Sequence, residues 1–417
     1  MNTDIKRREK GPAITPVFRW LAAVGPGMLV MLADTDAGNV VTAAQAGAQW
    51  RYRLLLLVLA LIPALYMIQE LAARLGVFTG RGFGELVREK LGLGWARLAL
   101  GALALATFGT LVTEFTGVAG IGELYGISRA LSLPAACAAL LAVAATGSYR
   151  RVERIALIVG LFEGAFLVVA WKAHPDPLAL AQDALHPPLG DAGFLFLAAA
   201  IIGSVFNPWM VFYQQAATAR KNMLPADYAA ARWDTALGAV LTQALTGAVL
   251  VAAAATLYHG DRQASLESIG QVGEALSTVM GPDVGRLIFS LGVLGASFAA
   301  AIVACLALSW GVAEIAGGRR DDNPGLFDSP LFFGFFAGSI AAAAALAGWS
   351  HDLVWLNIAA QLGNALLFPL VVGMLATLAA RALEPPHRLR GAHLLVTVII
   401  AASVAVFGLA GLIAGLF

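Results

Sequence analysis

Residues 29–43 read LVMLADTDAGNVVTA, so two acidic side chains interrupt an otherwise apolar stretch. An acidic side chain inside a membrane helix costs roughly 2.5–3.5 kcal/mol on insertion scales unless it is paired or hydrated. Gly38 lets the backbone leave helical geometry, and a broken helix exposes carbonyl groups near the middle of the bilayer. The stretch therefore predicts a membrane helix interrupted at Asp36-Ala37-Gly38-Asn39, with a water-filled vestibule or a bound cation beside the acids.

The rest of the chain has the composition of a membrane protein. Its 417 residues are 59% hydrophobic and 13% charged, and the mean hydropathy is +0.78. A helix needs about 20 mostly apolar residues to cross the bilayer, and stretches of this kind recur to the C-terminus. We predict an all-α membrane protein and exclude a soluble domain. The eleven predicted spans are residues 20–47, 54–75, 94–125, 132–147, 154–172, 192–217, 234–258, 285–316, 330–348, 353–380 and 391–416.

The basic residues predict the orientation of these spans. Lys and Arg accumulate in cytoplasmic loops, and residues 1–19 already contain five of them. With that arm in the cytoplasm, only six of the 27 basic residues face outward. We expect a multi-pass protein of the cell inner (plasma) membrane with a cytoplasmic N-terminus and an outer C-terminus. The net charge of +1 gives no indication of a nucleic-acid partner. The sequence does not determine the oligomeric state and is compatible with a monomer in the lipid bilayer.

A second interruption is predicted five spans after the first. Asn207-Pro208-Trp209 lies in the middle of predicted span six, where Pro208 cannot donate a hydrogen bond to the Ser204 carbonyl. Spans one and six insert in opposite directions, as inverted repeats of five helices require. The prediction is one transport domain over residues 20–417, with repeats at about 20–172 and 192–380 and an extra helix at about 391–416.

Four groups near the two breaks are candidate metal ligands. The Asp36 carboxylate and the Asn39 amide oxygen are three residues apart and can converge on one ion. The freed Ser204 carbonyl and the Asn207 amide would approach from the second break. For Asn207, a hydrogen bond between helices is the alternative role.

Other polar residues in apolar spans are secondary candidates. Asp34, Glu114 and Glu163 are the remaining acids of the predicted membrane interior, and the two glutamates are candidates for a proton or ion relay. In span ten, Gln361 and Asn364 are on one helix face with Asn357, where they either line a cavity or join helices. Cys137 and Cys305 lie in different spans, and all six histidines lie in predicted loops or at helix ends. A thiolate or imidazole metal site is therefore not indicated.

These residues resemble the Nramp family of divalent metal transporters. Gly25-Pro26-Gly27-Met28-Leu29-Val30 precedes the break and Gln45-Ala46-Gly47-Ala48-Gln49 follows it, while the break itself is Asp-Pro-Gly-Asn in typical members. The resemblance continues through Gln69-Glu70-Leu71-Ala72-Ala73-Arg74-Leu75-Gly76 and covers nearly the whole chain. It implies a LeuT-like fold, with two inverted five-helix repeats, broken first and sixth helices and an eleventh helix. It also implies proton-coupled uptake of manganese or ferrous iron, with ligands at Asp36, Asn39, Ser204 and Asn207.

The departures from the family pattern concern the metal and the proton. Asn207 replaces a methionine ligand, and an amide oxygen suits hard cations better than a thioether does. Trp209 replaces a histidine and Leu111 replaces an acid, which leaves Glu114 alone in span three. Asp34 is an additional acid, and Ala37 replaces proline. This pattern is similar to the Nramp-related magnesium transporters.

The sequence thus predicts a transporter that imports divalent metal cations, Mg²⁺ first and Mn²⁺ second, by alternating access without proton coupling. No cofactor is expected, because the metal ion is the substrate. A proton-coupled Mn²⁺/Fe²⁺ transporter is the main alternative. An amino-acid transporter of the same fold is disfavoured by the two acids at the break. An enzyme is not expected, since no catalytic motif or core histidine is present.

Overall fold

The computed structural model describes residues 25–145, 149–258, 266, 269–277, 280–317 and 330–416. The predicted arm 1–19 lies outside these residues. Within them every regular element is a helix, which confirms the predicted fold class. Eight of the described helical stretches are long and apolar enough to cross a membrane, and Arg129–Ala145 and Gly334–Trp349 are shorter apolar helices. Together with the broken first span, they coincide with the predicted spans.

The helices of the spans are numbered here by span, from one to eleven, and those of spans one, five and six are interrupted. Their bounds are Pro26–Leu32 with Ala37–Trp50, Leu55–Thr79, Leu93–Leu124, Arg129–Ala145, Tyr149–Gly160 with Ala165–Lys172, Ala192–Val205 with Pro208–Arg220, Tyr228–Leu257, Pro282–Ala316, Pro330–Trp349, Leu353–Arg381 and Ala392–Leu416. Short helices at Phe83–Lys90, Pro177–Ala184 and Ile269–Ser277 connect some of them.

The break in span one lies slightly earlier than the sequence predicts. The first helix ends at Leu32, and the second begins at Ala37 with Asp36 as its N-cap. The Asp36 carboxylate accepts a hydrogen bond of 2.6 Å from the Asn39 backbone N–H, which an aspartate at an N-cap favours. The prediction that Gly38 unwinds the chain is wrong, because Gly38 lies in the first turn of the second helix. The unwound residues are 33–36.

The break in span six lies where the proline predicts it. The first helix ends at Val205, Phe206 and Asn207 are non-helical, and Pro208 is the first residue of the second helix. A proline at this position loses no hydrogen bond, since the first N–H groups of a helix have no partner within it. Span six is the most buried of the eight long spans and span eleven the least. The residues of both breaks are buried inside the bundle, among them Asp34, Asp36, Phe206 and Asn207.

Asp234 of span seven fixes the beginning of span one. Its Oδ2 accepts hydrogen bonds from the backbone N–H groups of Gly25, at 3.1 Å, and Gly27, at 2.7 Å. These donors have no partner within their own helix, so a buried carboxylate stabilises them. Span one is thereby held against span seven at one end and remains free to unwind at residues 33–36.

We expect Asp234→Ala to lower the stability of the protein. Losing the acceptor leaves two buried N–H groups unpaired, at a cost of about 1–3 kcal/mol for each group. Asp234→Asn keeps an acceptor oxygen, so its apparent Tm in detergent should lie between those of the parent and Asp234→Ala. An alanine variant as stable as the parent would contradict this role of the carboxylate.

Candidate cation-binding site

The breaks of spans one and six meet at the centre of the protein. The Asn39 amide donates to the Ser204 hydroxyl at 3.2 Å, and the Asn207 amide lies 3.5 Å from Asp34 Oδ1. Asp34, Asp36, Asn39 and Asn207 are fully buried. The structure therefore brings together, from two spans that are far apart in sequence, the four ligand candidates and one secondary candidate.

Span ten contributes the third wall of the site. The Gln361 amide lies 3.5 Å from Asp36 Oδ1, and Asn364 donates to Gln361 Oε1 at 3.0 Å and also to Asn207 Oδ1. The predicted polar face of span ten thus lines the site. Asn357, from the same face, instead bonds to Thr116 of span three and joins two helices.

Three of the four candidate ligands already have a protein partner on the oxygen that would hold an ion, and for Asn207 Oδ1 that partner is the Asn364 amide. The Ser204 carbonyl, which we expected to be free, accepts a hydrogen bond of 3.0 Å from the Asn207 amide. The Asn39 amide oxygen accepts one of 2.8 Å from the Thr246 hydroxyl. Each oxygen has a second lone pair, so each can still reach an ion, but its direction is fixed by these bonds.

The aspartates, by contrast, each keep one oxygen without a partner. Asp34 Oδ2 and Asp36 Oδ2 are buried and make no hydrogen bond of good geometry, and Asp36 also interacts with the Glu114 carboxyl group. Buried polar atoms of this kind are rare, and a carboxylate oxygen without a protein partner is suited to bind a cation. Among the described residues, no three His, Cys, Asp or Glu side chains converge on a point. The arrangement is thus two carboxylates supported by neutral amides and hydroxyls, a donor set that suits a hard cation which keeps part of its water.

Glu114 of span three and Trp209 of span six border the site. Glu114 Oε2 accepts a hydrogen bond of 3.2 Å from the backbone N–H of Ala37 and so lies at the N-terminus of the second helix of span one. The Trp209 indole donates to the Thr110 hydroxyl at 3.0 Å and is fully buried. Trp209 therefore joins spans six and three through this hydrogen bond and offers no titratable group.

Threonines of span seven also belong to the site, although the sequence pattern did not single them out. Thr242 bonds to Thr35 at 2.8 Å, and Thr246, one turn later, holds Asn39. Two threonines four residues apart lie on the same face of a helix. On an apolar span such a pair forms a polar stripe, and this pattern could have identified Thr242 and Thr246 from the sequence.

A vestibule of about 350 Å³ lies where span one ends and spans six and ten begin. Asp191 and Asp352, the N-caps of spans six and ten, lie in its wall with Gln45 and Gln49 of span one. Its wall therefore carries negative charge and no basic side chain.

Gly38 allows span ten to approach the Asp36 carboxylate. A Cβ at this position would collide with the Gln361 amide and lie 3.2 Å from Asp36 Oδ1. We expect Gly38→Ala to reduce transport roughly tenfold by displacing Gln361, although alanine favours the helix by about 1 kcal/mol. Gly373→Ala, in open space on span ten, is the matched control and should be neutral. Equal flux in the two variants would contradict the close approach.

The comparisons with known proteins agree with this architecture. A family model described as Nramp, natural resistance-associated macrophage protein-like, matches residues 27–414. The "Divalent metal cation transporter MntH" of Chromohalobacter salexigens is 27% identical over 305 residues, covering 69% of both chains. Its namesake from Yersinia pestis is 27% identical over 301 residues, covering 69% of this chain and 71% of the relative.

Solved structures share the fold at low identity. A crystal structure of the Eremococcus coleocola manganese transporter matches with a TM-score of 0.77 at 16% identity, covering 96% of this chain and 88% of that one. A nucleobase-cation-symport-1 family transporter in a closed conformation matches with a TM-score of 0.58 at 14% identity, covering 94% of this chain and 91% of that one. These matches agree with the LeuT-like arrangement expected from the sequence.

Proposed function

The chain belongs to the Nramp family, and we propose that it transports divalent metal cations with Mg²⁺ as its main substrate and Mn²⁺ as a second one. Relatives are named as divalent metal cation transporters, which supports a transport function and gives no indication of an enzyme. The ion would lie between the two breaks, held by Asp36, Asn39, the Ser204 carbonyl and Asn207, directly or through water.

The observation that carries the choice of Mg²⁺ is the chemistry of Asn207. Its amide bonds to Asn364 and to the Ser204 carbonyl and lies 3.5 Å from Asp34. The second break therefore presents an amide in place of the methionine thioether of typical family members, and a thioether would favour softer metals. Mg²⁺ dehydrates reluctantly and is usually held by one or two carboxylates with several waters. The amides of Asn207, Gln361 and Asn364 are suited to contact those waters.

The same residues support transport without protons. Trp209 occupies the position of a titratable histidine and uses its only polar atom to bond Thr110. The driving force would then be the ion gradient and the membrane potential, which contributes about 2.3 kcal/mol per charge for each 100 mV.

Features at the two ends of the protein support transport by alternating access. With the N-terminus in the cytoplasm, the vestibule of Asp191 and Asp352 opens outward. At the opposite end Arg74 pairs with Glu70 at 2.6 Å and donates to the His387 carbonyl at 3.2 Å. Opening this end while the vestibule closes would release the ion inward.

A flux experiment in proteoliposomes tests the proposal. We expect Mg²⁺ uptake that follows the membrane potential, is reduced by competing Mn²⁺ and is unchanged by a pH gradient. Uptake of Mn²⁺ but not of Mg²⁺ would contradict the substrate. Acidification of the lumen in step with Mg²⁺ uptake would contradict the absence of proton coupling.

A proton-coupled manganese transporter is the second candidate. Glu114 favours it, because this carboxyl group lies against the N-terminus of the second helix of span one, beside the Asp36 site. The same flux experiment separates the candidates, since proton coupling predicts faster Mn²⁺ uptake when the outer solution is acidified.

A further inference from the structure

Arg53 lies in the turn between spans one and two and has no charged partner among the described residues. One nitrogen of its guanidinium group, Nη1, is buried and makes no hydrogen bond. Arg51, two residues earlier, instead pairs with Asp183 at 3.4 Å. A buried donor without a partner is costly, and a guanidinium group is suited to bind a planar or tetrahedral anion. The position of Arg53 therefore calls for an anionic partner.

An apolar groove of about 180 Å³ begins at Arg53. Its wall contains side chains from three spans, namely Leu56, Leu57 and Ala60 of span two, Phe194 of span six and Phe407 of span eleven. Arg53 is the one charged side chain among the described residues that line this groove. Because the residues of span two belong to its first two turns, the groove runs from the guanidinium group along span two into the apolar part of the bundle.

The groove lies on the surface that faces lipid. Leu56 and Leu189, which line it, are 45% and 63% exposed. Trp171 and Trp349 lie near the ends of spans five and nine, at the end of the bundle where span two begins, and both are exposed. Exposed tryptophans of this kind are typical of the membrane–water interface. Arg53 thus lies at the level of the lipid headgroups, and the groove lies at the level of the acyl chains.

A phospholipid has the two chemical groups that this surface lacks. Its phosphate can accept two parallel N–H bonds from one guanidinium group, and an acyl chain can fill an apolar groove. Packing of the chain does not select among phospholipids, since their tails are equally apolar. The charge of Arg53 does select, because an anionic headgroup has no ammonium group of its own to compete for the phosphate.

We propose that the groove formed by Arg53 and these apolar side chains binds one anionic phospholipid, with the headgroup phosphate on Arg53 and an acyl chain along span two. Phe194 separates the groove from the vestibule, since its ring packs edge-on against Trp50 with the centroids 5.3 Å apart, and Trp50 lines the vestibule. The lipid would therefore brace the first helix of span six beside the vestibule. This lipid site goes beyond the proposed function and does not depend on which ion is transported.

Native mass spectrometry of the full chain in a neutral detergent tests the site, with equal amounts of phosphatidylglycerol and phosphatidylcholine added. The parent should retain one phosphatidylglycerol with a preference of about tenfold over phosphatidylcholine, and Arg53→Gln should lose this preference. Arg51→Gln is the matched control and should keep it, because the Arg51 guanidinium group is already paired with Asp183. Phosphatidylglycerol should also raise the apparent Tm of the parent and leave that of Arg53→Gln unchanged.

A second pair of variants tests the groove itself. Ala60→Phe fills the groove from an exposed position of span two and should reduce the retention of phosphatidylglycerol by about tenfold. Ala402→Phe, at an exposed alanine of span eleven outside the groove, should retain the lipid as the parent does.

Three results would overturn the inference. The first is equal retention of the two lipids by the parent. The second is an equal loss of phosphatidylglycerol in Arg53→Gln and Arg51→Gln, which would indicate a general attraction to surface charge. The third is full retention by Ala60→Phe, which would place the lipid away from the groove.

Discussion

Replacing Asp36 with asparagine is expected to reduce Mg²⁺ uptake by roughly 10- to 100-fold. The substitution keeps an oxygen that can accept from the Asn39 N–H and so preserves the N-cap, but it removes the charge and places a donor where Oδ2 is now unpartnered. Charge-assisted contacts of this kind contribute about 1.5–3 kcal/mol, and each 1.4 kcal/mol changes an affinity tenfold. Initial rates of uptake into proteoliposomes measure the effect.

The control for this variant is an N-cap aspartate elsewhere in the chain. Asp176 caps the short helix Pro177–Ala184 by accepting from the Leu178 N–H at 3.0 Å, and Asp176→Asn should leave uptake unchanged. Without metal, Asp36→Asn should be at least as stable as the parent, since it relieves repulsion among buried acids. A flux equal to that of the parent would remove Asp36 from the site.

Replacing Asn207 with methionine is expected to change the selectivity. A thioether at the second break favours Mn²⁺ and Cd²⁺ over Mg²⁺, and we expect the ratio of uptake rates to shift by about tenfold, which corresponds to about 1.4 kcal/mol. The variant also removes one of the two partners of the Asn364 amide, so we expect lower stability together with the shift. Uptake of each metal from a mixture measures the ratio.

Gln215→Met is the matched control for this selectivity change. Gln215 is a buried amide of the same span, two turns after the break, and donates to the Arg81 carbonyl rather than to any residue of the site. Its replacement should alter stability without altering the metal ratio. A similar shift in both variants would show that sulfur in span six acts without contacting the ion.

The sequence was sufficient for the fold and for most of the polar residues that the folded chain brings together at the two breaks. Long apolar stretches are required of any helix that crosses a bilayer, so composition alone identified the spans. Acids and amides are costly in such stretches, so Asp36, Asn207 and Gln361 stand out by their residue type alone. The folded chain places these side chains side by side.

The hydrogen-bond partners of these polar groups could not be predicted from the sequence in the same way. Gly38 was expected to unwind the chain, but its role depends on the approach of Gln361 from a helix more than 300 residues away in sequence. The Ser204 carbonyl was freed by Pro208 as expected and then bonded to Asn207. Hydrogen bonds between distant spans depend on how the spans pack together. The residue pattern within a single span therefore does not predict them.

We expect one hard, partly hydrated cation to bind between the breaks of spans one and six. Crystals grown with Mn²⁺, which prefers the same oxygen ligands as Mg²⁺, would locate the ion by its anomalous scattering. We predict a peak among Asp36, Asn39 and Asn207 in the parent, and no peak there in Asp36→Asn. A peak that persists in the variant, or an ion bound away from both breaks, would contradict the account.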